Sequence, residues 1–241
     1  MIRRQIPNLI TLGNLLCGVL ASGHAIGGNL TYAAIFICLG IALDFFDGLV
    51  ARLLGVTSPL GKELDSLADV VTSGVAPGFV LFYILSQGLF GSWTWLAFAA
   101  ILMPLFAAYR LAKFNLDTRQ SHSFLGLPVP ANALIWVGLA LTVGDYMFAE
   151  DTALDLYYEP WFFVGLIVIS LVSDILMVSE MPMFSLKFNF KDMSWKNNSV
   201  QYIFLIGCAV IIAVTRQWYA ISLIILWYII LSAITQRKHV E

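Results

Sequence analysis

Charge is what this sequence has least of. Asp, Glu, Lys and Arg make up 12% of its 241 residues, against 60% hydrophobic, and mean hydropathy is +0.85. Soluble globular domains carry about 25% charged residues, which excludes a water-soluble domain of average composition. Histidine and cysteine are equally sparse, with 3 of each. His24, His122 and His239 have no metal-ligand spacing, and Cys17, Cys38 and Cys208 sit inside apolar stretches, where cysteine packs as a small hydrophobe. Neither a disulfide framework nor a cysteine or histidine metal site is therefore expected. Internal repeats, low-complexity linkers, a phosphate-cradling glycine loop, a Ser/His/Asp arrangement and any sign of a nucleic-acid surface are absent as well.

What fills the chain instead is apolar sequence, in about eight stretches near 6–27, 29–54, 59–87, 92–115, 124–148, 157–181, 198–216 and 217–236. Each approaches the roughly 20 residues that a spanning helix needs. The pattern predicts an all-α polytopic membrane bundle, one domain over 1–241. Arg3 and Arg4 before the first apolar run resemble a signal peptide, but Asn8, Thr11 and Asn14 interrupt the run and no cleavage pattern follows, so it is expected to remain as the first span. Of the 13 basic residues all but Arg216 fall at alternate ends of the proposed spans, while the acidic loop 144–160 falls at the opposite ends. By the positive-inside rule both termini are cytoplasmic. Trp93, Trp95, Trp161, Trp195 and Trp218 lie near span ends, where indole rings anchor at headgroups. The basic loop 182–197 is expected either to lie along the interface as an amphipathic stretch or to serve as a plain connector.

Into this apolar background the stretch "LDFFDGLVARLLGVTSPLGKELDSLAD" (43–69) sets four aspartates. At 100° per residue Asp44, Asp47, Gly48 and Ala51 share an arc of roughly 100° on the second span, and Gly61, Asp65, Asp69 and Thr72 share roughly 80° on the third. A short turn joins the two antiparallel helices, so both faces can meet near their cytoplasmic ends. An aspartate deep in a bilayer costs about 2.5–3.5 kcal/mol, and four together repel one another. Arg52 alone cannot balance them. Two divalent cations would, and all-oxygen ligation suits Mg²⁺ or Mn²⁺. The alternative is a row of acids lining an ion pathway. Gly48, Ala51 and Gly61 weigh toward a bound ligand, because residues without bulk beside carboxylates let one approach the backbone.

The full array, Asp44-x-x-Asp47-Gly48-x-x-Ala51-Arg52, eight residues, then Gly61-x-x-x-Asp65-x-x-x-Asp69, resembles the signature of the CDP-alcohol phosphotransferases at every position. The segments 6–18, 65–78, 110–115, 124–133 and 176–187 are similar to those of the membrane-embedded phosphatidylserine synthases within that family, while the last two helices carry no readable motif.

The resemblance implies a core of six membrane helices and transfer of a phosphatidyl group from CDP-diacylglycerol to the hydroxyl of L-serine, with release of CMP. It makes Asp44, Asp47 and Asp65 principal metal ligands and gives Asp69 two tasks, completing a second metal site and acting as general base, although a metal-bound group could take the latter. Gly48, Ala51 and Gly61 would accommodate the nucleotide diphosphate. Arg52 would bind a phosphate oxygen, or simply mark a cytoplasmic helix end. Asn8 and Thr11 would hydrogen-bond the nucleotide or glue helices together, and Asn14 sits deeper. Arg110, Lys113 and Asn115 are the candidates for holding serine. The expected partners are CDP-diacylglycerol, L-serine and the lipid bilayer, with a homodimer admitted. Two other readings remain open: a related transferase acting on glycerol 3-phosphate or an inositol phosphate, and a divalent-cation transporter.

Overall fold

The computed structural model describes residues 5–56, 58–89, 91–116, 124–148, 160–184 and 195–236. Helix α1 (Gln5–Ile26) turns back into α2 (Leu30–Leu54), and α3 (Pro59–Asp69) runs through a π-helical turn, Val70–Val75, into α4 (Ala76–Gly88). A 3₁₀ segment, Gly91–Ile101, leads into α5 (Leu102–Leu116); then follow α6 (Val129–Phe148), α7 (Pro160–Val178), α8 (Trp195–Thr215) and α9 (Ala220–Gln236). Two short strands, β1 (Phe124–Leu125) and β2 (Pro182–Met183), pair antiparallel.

Among the described residues six helical rods are long and apolar enough to cross a membrane, and Val129–Gly144 and Ala220–Thr235 are shorter apolar helices. Each of the eight apolar stretches thus holds a helix, and the chain is a polytopic helical membrane protein. Leu9, Leu16, Phe45, Leu53, Leu105 and Val214 point outward, as hydrocarbon solvent requires of a surface that water would penalise. In α8 only 6% of the apolar window is buried, which places that helix at the rim of the bundle. Trp93, Trp95, Trp161 and Trp218 are exposed near helix ends, where interfacial anchoring predicts them.

Two prolines explain where the regular helix gives way. Pro77 has no N–H to offer the Ser73 carbonyl, and the backbone widens just before it, with Ala76 N–H bonding to Val71 O. Pro104 likewise leaves the Ala100 carbonyl without its α-helical donor, close to where 3₁₀ geometry changes to α. The π turn alters one expectation. Steps of 100° hold only as far as Asp69, so Thr72 leaves the aspartate face and enters the seam between α1 and α2. There its hydroxyl donates to Asn14 O at 3.0 Å. A Cβ on Gly18 would lie 2.5 Å from Thr72 Oγ1, and one on Gly40 would lie 2.4 Å from Thr72 Cγ2. Those two glycines are the notches that let Thr72 lock the third rod onto the first two, the close approach on which helix association in lipid depends.

The α2–α3 connection is built from caps. Gly55, at φ 63°, closes α2 with its N–H on Ala51 O and Arg52 O. Ser58 opens α3 by accepting from Gly61 N–H, with Pro59 in the first turn. Further on, the fifth apolar stretch becomes helical at Val129, the start of α6, and not at 124, because Phe124–Leu125 pair with Met183 and Pro182. Gly126 N–H donates to Met181 O at 2.9 Å and Leu127 N–H to Leu176 O at 3.0 Å. A Cβ on Gly126, whose φ is 73°, would meet Met177 O at 2.6 Å, so this tie requires glycine. The strands join the two segments 124–133 and 176–187 that were singled out separately in the sequence. Residues 185–194 of the basic loop, most of the acidic loop, and Arg119, Lys187 and Lys191 lie outside the described residues.

Candidate functional site

The aspartates of α2 and α3 converge. Asp44, Asp47 and Asp65 each offer a carboxylate oxygen, and these oxygens lie within 4.8 Å of one another. Asp47 is buried, and Asp44 and Asp65 are half-buried. Such a group of like charges in a bilayer is unfavourable on its own. Asp65 Oδ1 is buried without a hydrogen-bond partner among the described residues. A hard divalent cation resolves both problems, since it takes carboxylate oxygens as ligands and neutralises them. The donor set therefore fits a metal ion.

Asp69 stands apart from this group of three. It is buried beyond Asp65 on α3 and accepts from Asn14 Nδ2 at 3.3 Å. Asn14 is itself wholly buried, and it lies outside the aspartate signature. The signal was there: it follows Thr11 by three residues, hence on one face of α1, and it is an amide in an apolar span.

Beside the carboxylates opens a cavity of about 540 Å³, lined by α1, α2, α3 and the turn between the last two. Of the residues expected to hold a nucleotide diphosphate, Asn8, Thr11, Gly48, Ala51 and Gly61 line it, together with Asp47, Asp65 and Lys62. Thr11 Oγ1 donates to Asp47 Oδ2, which orients that carboxylate, and the Pro7 carbonyl lies 3.1 Å from the same hydroxyl. A Cβ on Gly61 would lie 3.2 Å from Asn8 Oδ1, whereas one on Gly48 would meet no protein atom within 4 Å. Gly61 therefore permits close packing, and Gly48 keeps the wall open.

Arg52 sits at the exposed end of α2. It does not line the cavity; its exposed side chain folds along α2, where Nε donates to Gly48 O at 3.0 Å. This is the local capping that a basic residue in a last helical turn readily makes.

The three serine candidates take different partners, although Arg110 and Lys113 both line one small cleft with Val178 and Glu180. Arg110 is buried in α5, close enough to Asp69 for their charges to interact, with its ring-face neighbour Phe114 at 5.9 Å. Its Nε has no hydrogen-bond partner among the described residues, and it makes no ion pair there. Lys113 points instead to the end of α7, donating to Val178 O at 3.4 Å and pairing with Glu180 at 3.6 Å. Asn115 turns to α3, donating to Ser66 Oγ at 2.8 Å, and its carbonyl accepts from Lys62 Nζ at 3.0 Å. Of the three, Arg110 is the one whose charge interacts with an aspartate of the site, Asp69. Asp174, also buried, belongs to α7 and has Ser170 Oγ 3.5 Å away.

Comparison with known proteins agrees with this geometry. Residues 4–172 match the CDP-alcohol phosphatidyltransferase family. The chain is 38% identical over 151 residues to the CDP-diacylglycerol–serine O-phosphatidyltransferase of Bacillus subtilis, covering 61% of this chain and 81% of that one. The proteins of the same name from Helicobacter pylori and Methanocaldococcus jannaschii are each 34% identical, over 68% of this chain and 69% and 71% of theirs. With a match that spans both aspartate helices and most of the bundle, this chain belongs to the CDP-alcohol phosphatidyltransferase family.

Proposed function

We infer that this protein is a phosphatidylserine synthase: it transfers the phosphatidyl group of CDP-diacylglycerol to the hydroxyl of L-serine and releases CMP. The observation that carries the reading is the meeting of Asp44, Asp47 and Asp65 beside a cavity walled by small residues, in a chain whose similar relatives bear that activity in their names. The family match favours this over cation transport.

In the reaction the serine oxygen attacks the phosphorus that bears the diacylglycerol, a new P–O bond forms, and the bond to the bridging oxygen breaks, so that CMP leaves with that oxygen. Asp44, Asp47 and Asp65 would hold the metal, with Asp69 reaching a second ion; we favour two divalent cations, Mg²⁺ or Mn²⁺. Bound there, they would neutralise phosphate charge and acidify the attacking hydroxyl. The protein's own groups do the rest. Asp69 receives the hydroxyl proton, and Thr11 and Asn14 fix the two buried carboxylates against rotation. The lining made by Asn8, Gly48, Ala51 and Gly61 accepts the nucleotide. Arg110, a buried cation with no anionic partner within bonding distance among the described residues, takes the serine carboxylate.

On the same reading residues 1–241 form one integral-membrane domain. The site faces the cytoplasm, as the basic residues Arg52, Lys62, Arg110 and Lys113 around it suggest under the positive-inside rule. The test is an assay of purified protein with CDP-diacylglycerol and Mg²⁺ or Mn²⁺, offering serine, glycerol 3-phosphate, inositol and inositol phosphate in turn. CMP release with serine alone is expected. Release with another acceptor and none with serine would replace the reading.

A further inference from the structure

Two divalent cations would balance the four aspartates, which leaves part of the diphosphate's own charge to a cationic side chain. A diphosphate diester brings its own negative charges into a site already lined by Asp47 and Asp65. Arg52, the arginine of the signature, has its Nε on the Gly48 carbonyl and is not among the lining residues. Among the described residues that do line the cavity, Lys62 is the one base. It follows Gly61 in the first turns of α3, on a four-carbon stem long enough to sweep the mouth of the cavity. Its ammonium now donates to the backbone carbonyl of Asn115 on α5 at 3.0 Å. That acceptor is neutral, whereas an anionic phosphate oxygen would add charge–charge attraction to the same hydrogen bond and is the stronger partner for an ammonium. Asn115 stays in place when Lys62 leaves, because its side chain is held separately by Ser66 Oγ at 2.8 Å.

We propose that Lys62 is the phosphate-binding cation of this cavity, exchanging the Asn115 carbonyl for a pyrophosphate oxygen of the liponucleotide. The proposal rests on reading the cavity as the nucleotide site, and it assigns to Lys62 the contact that the signature would place on Arg52. Lys62 is exposed on α3, so replacing it leaves the buried packing of the bundle untouched.

The experiment measures CMP and CDP-diacylglycerol binding by calorimetry on the full chain in detergent with Mg²⁺, alongside KM for each substrate, for wild type, Lys62→Met, Lys62→Arg and Arg52→Met. Loss of one charge-assisted contact predicts roughly 10-fold weaker binding of both nucleotides in Lys62→Met. Lys62→Arg should recover most of it, Arg52→Met should change it less, and the serine KM should stay put. Nucleotide affinity in Lys62→Met equal to wild type, or a shift confined to the serine KM, overturns the proposal while leaving the nucleotide cavity intact. Wild-type protein that binds neither CMP nor CDP-diacylglycerol removes the cavity reading and this inference with it.

Discussion

Asn14 and Asp69 meet across the interface of α1 and α3, amide to carboxylate at 3.3 Å, both buried. The contact engages one carboxylate oxygen of Asp69, Oδ1. It is held in register by Thr72, whose hydroxyl binds the Asn14 carbonyl from the adjoining π turn. Replacing Asn14 with Leu should therefore misdirect Asp69 and lower kcat by about 10- to 100-fold, with KM for either substrate changing far less. Steady-state kinetics on both substrates checks this, and an unchanged kcat would reduce Asn14 to helix packing.

Removing the metal-binding carboxylates should be more severe. Asp47→Asn keeps size and hydrogen bonding but weakens ligation, and a loss of at least ~10²-fold in CMP release is expected, as for removal of a principal transition-state stabiliser. Chelation of wild-type protein should abolish turnover, and added Mg²⁺ or Mn²⁺ should restore it. Activity that persists through chelation would contradict the metal assignment.

Gly48 offers a cleaner separation of folding from binding. A Cβ there meets no protein atom within 4 Å, and alanine is favoured over glycine inside a helix by about 1 kcal/mol. Gly48→Ala should hold or raise thermal stability while raising the KM for CDP-diacylglycerol, since the added methyl projects into the ligand's space. A melting curve paired with a substrate titration reads both effects.

Arg110 has the opposite signature, a buried charge that makes no ion pair among the described residues. Arg110→Lys retains the charge but loses the planar fork suited to a carboxylate, and Arg110→Met loses both. Serine KM should rise in that order, to about 10-fold or more for Met, with nucleotide affinity preserved. A rise in nucleotide Kd at constant serine KM would move Arg110 to the other half of the site.

Packing makes its own prediction at Gly40. Its missing Cβ would lie 2.4 Å from Thr72 Cγ2 and 2.9 Å from Asn14 Oδ1. Gly40→Val should thus separate α2 from the third rod, lower the melting temperature, and reduce activity through Asn14 although it touches no substrate. A variant with wild-type stability would show that the seam has slack.

The presence of the membrane helices and the faces of α2 and α3 that carry Asp44, Asp47 and Asp65 were determined by sequence alone, because apolar length and the 100° step of an unbroken helix are local properties of the chain. The tertiary structure decided the rest. A π turn beside Pro77 ended the regular step and sent Thr72 into the glycine notches of α1 and α2, and that seam in turn chose Asn14 as the partner of Asp69. Arg52 against Gly48, Lys62 across to Asn115, and Lys113 away toward Glu180 followed from which helix end stood within reach. Long flexible side chains find partners through space, on neighbouring helices whose distance is set by packing, and no spacing along the chain encodes that distance.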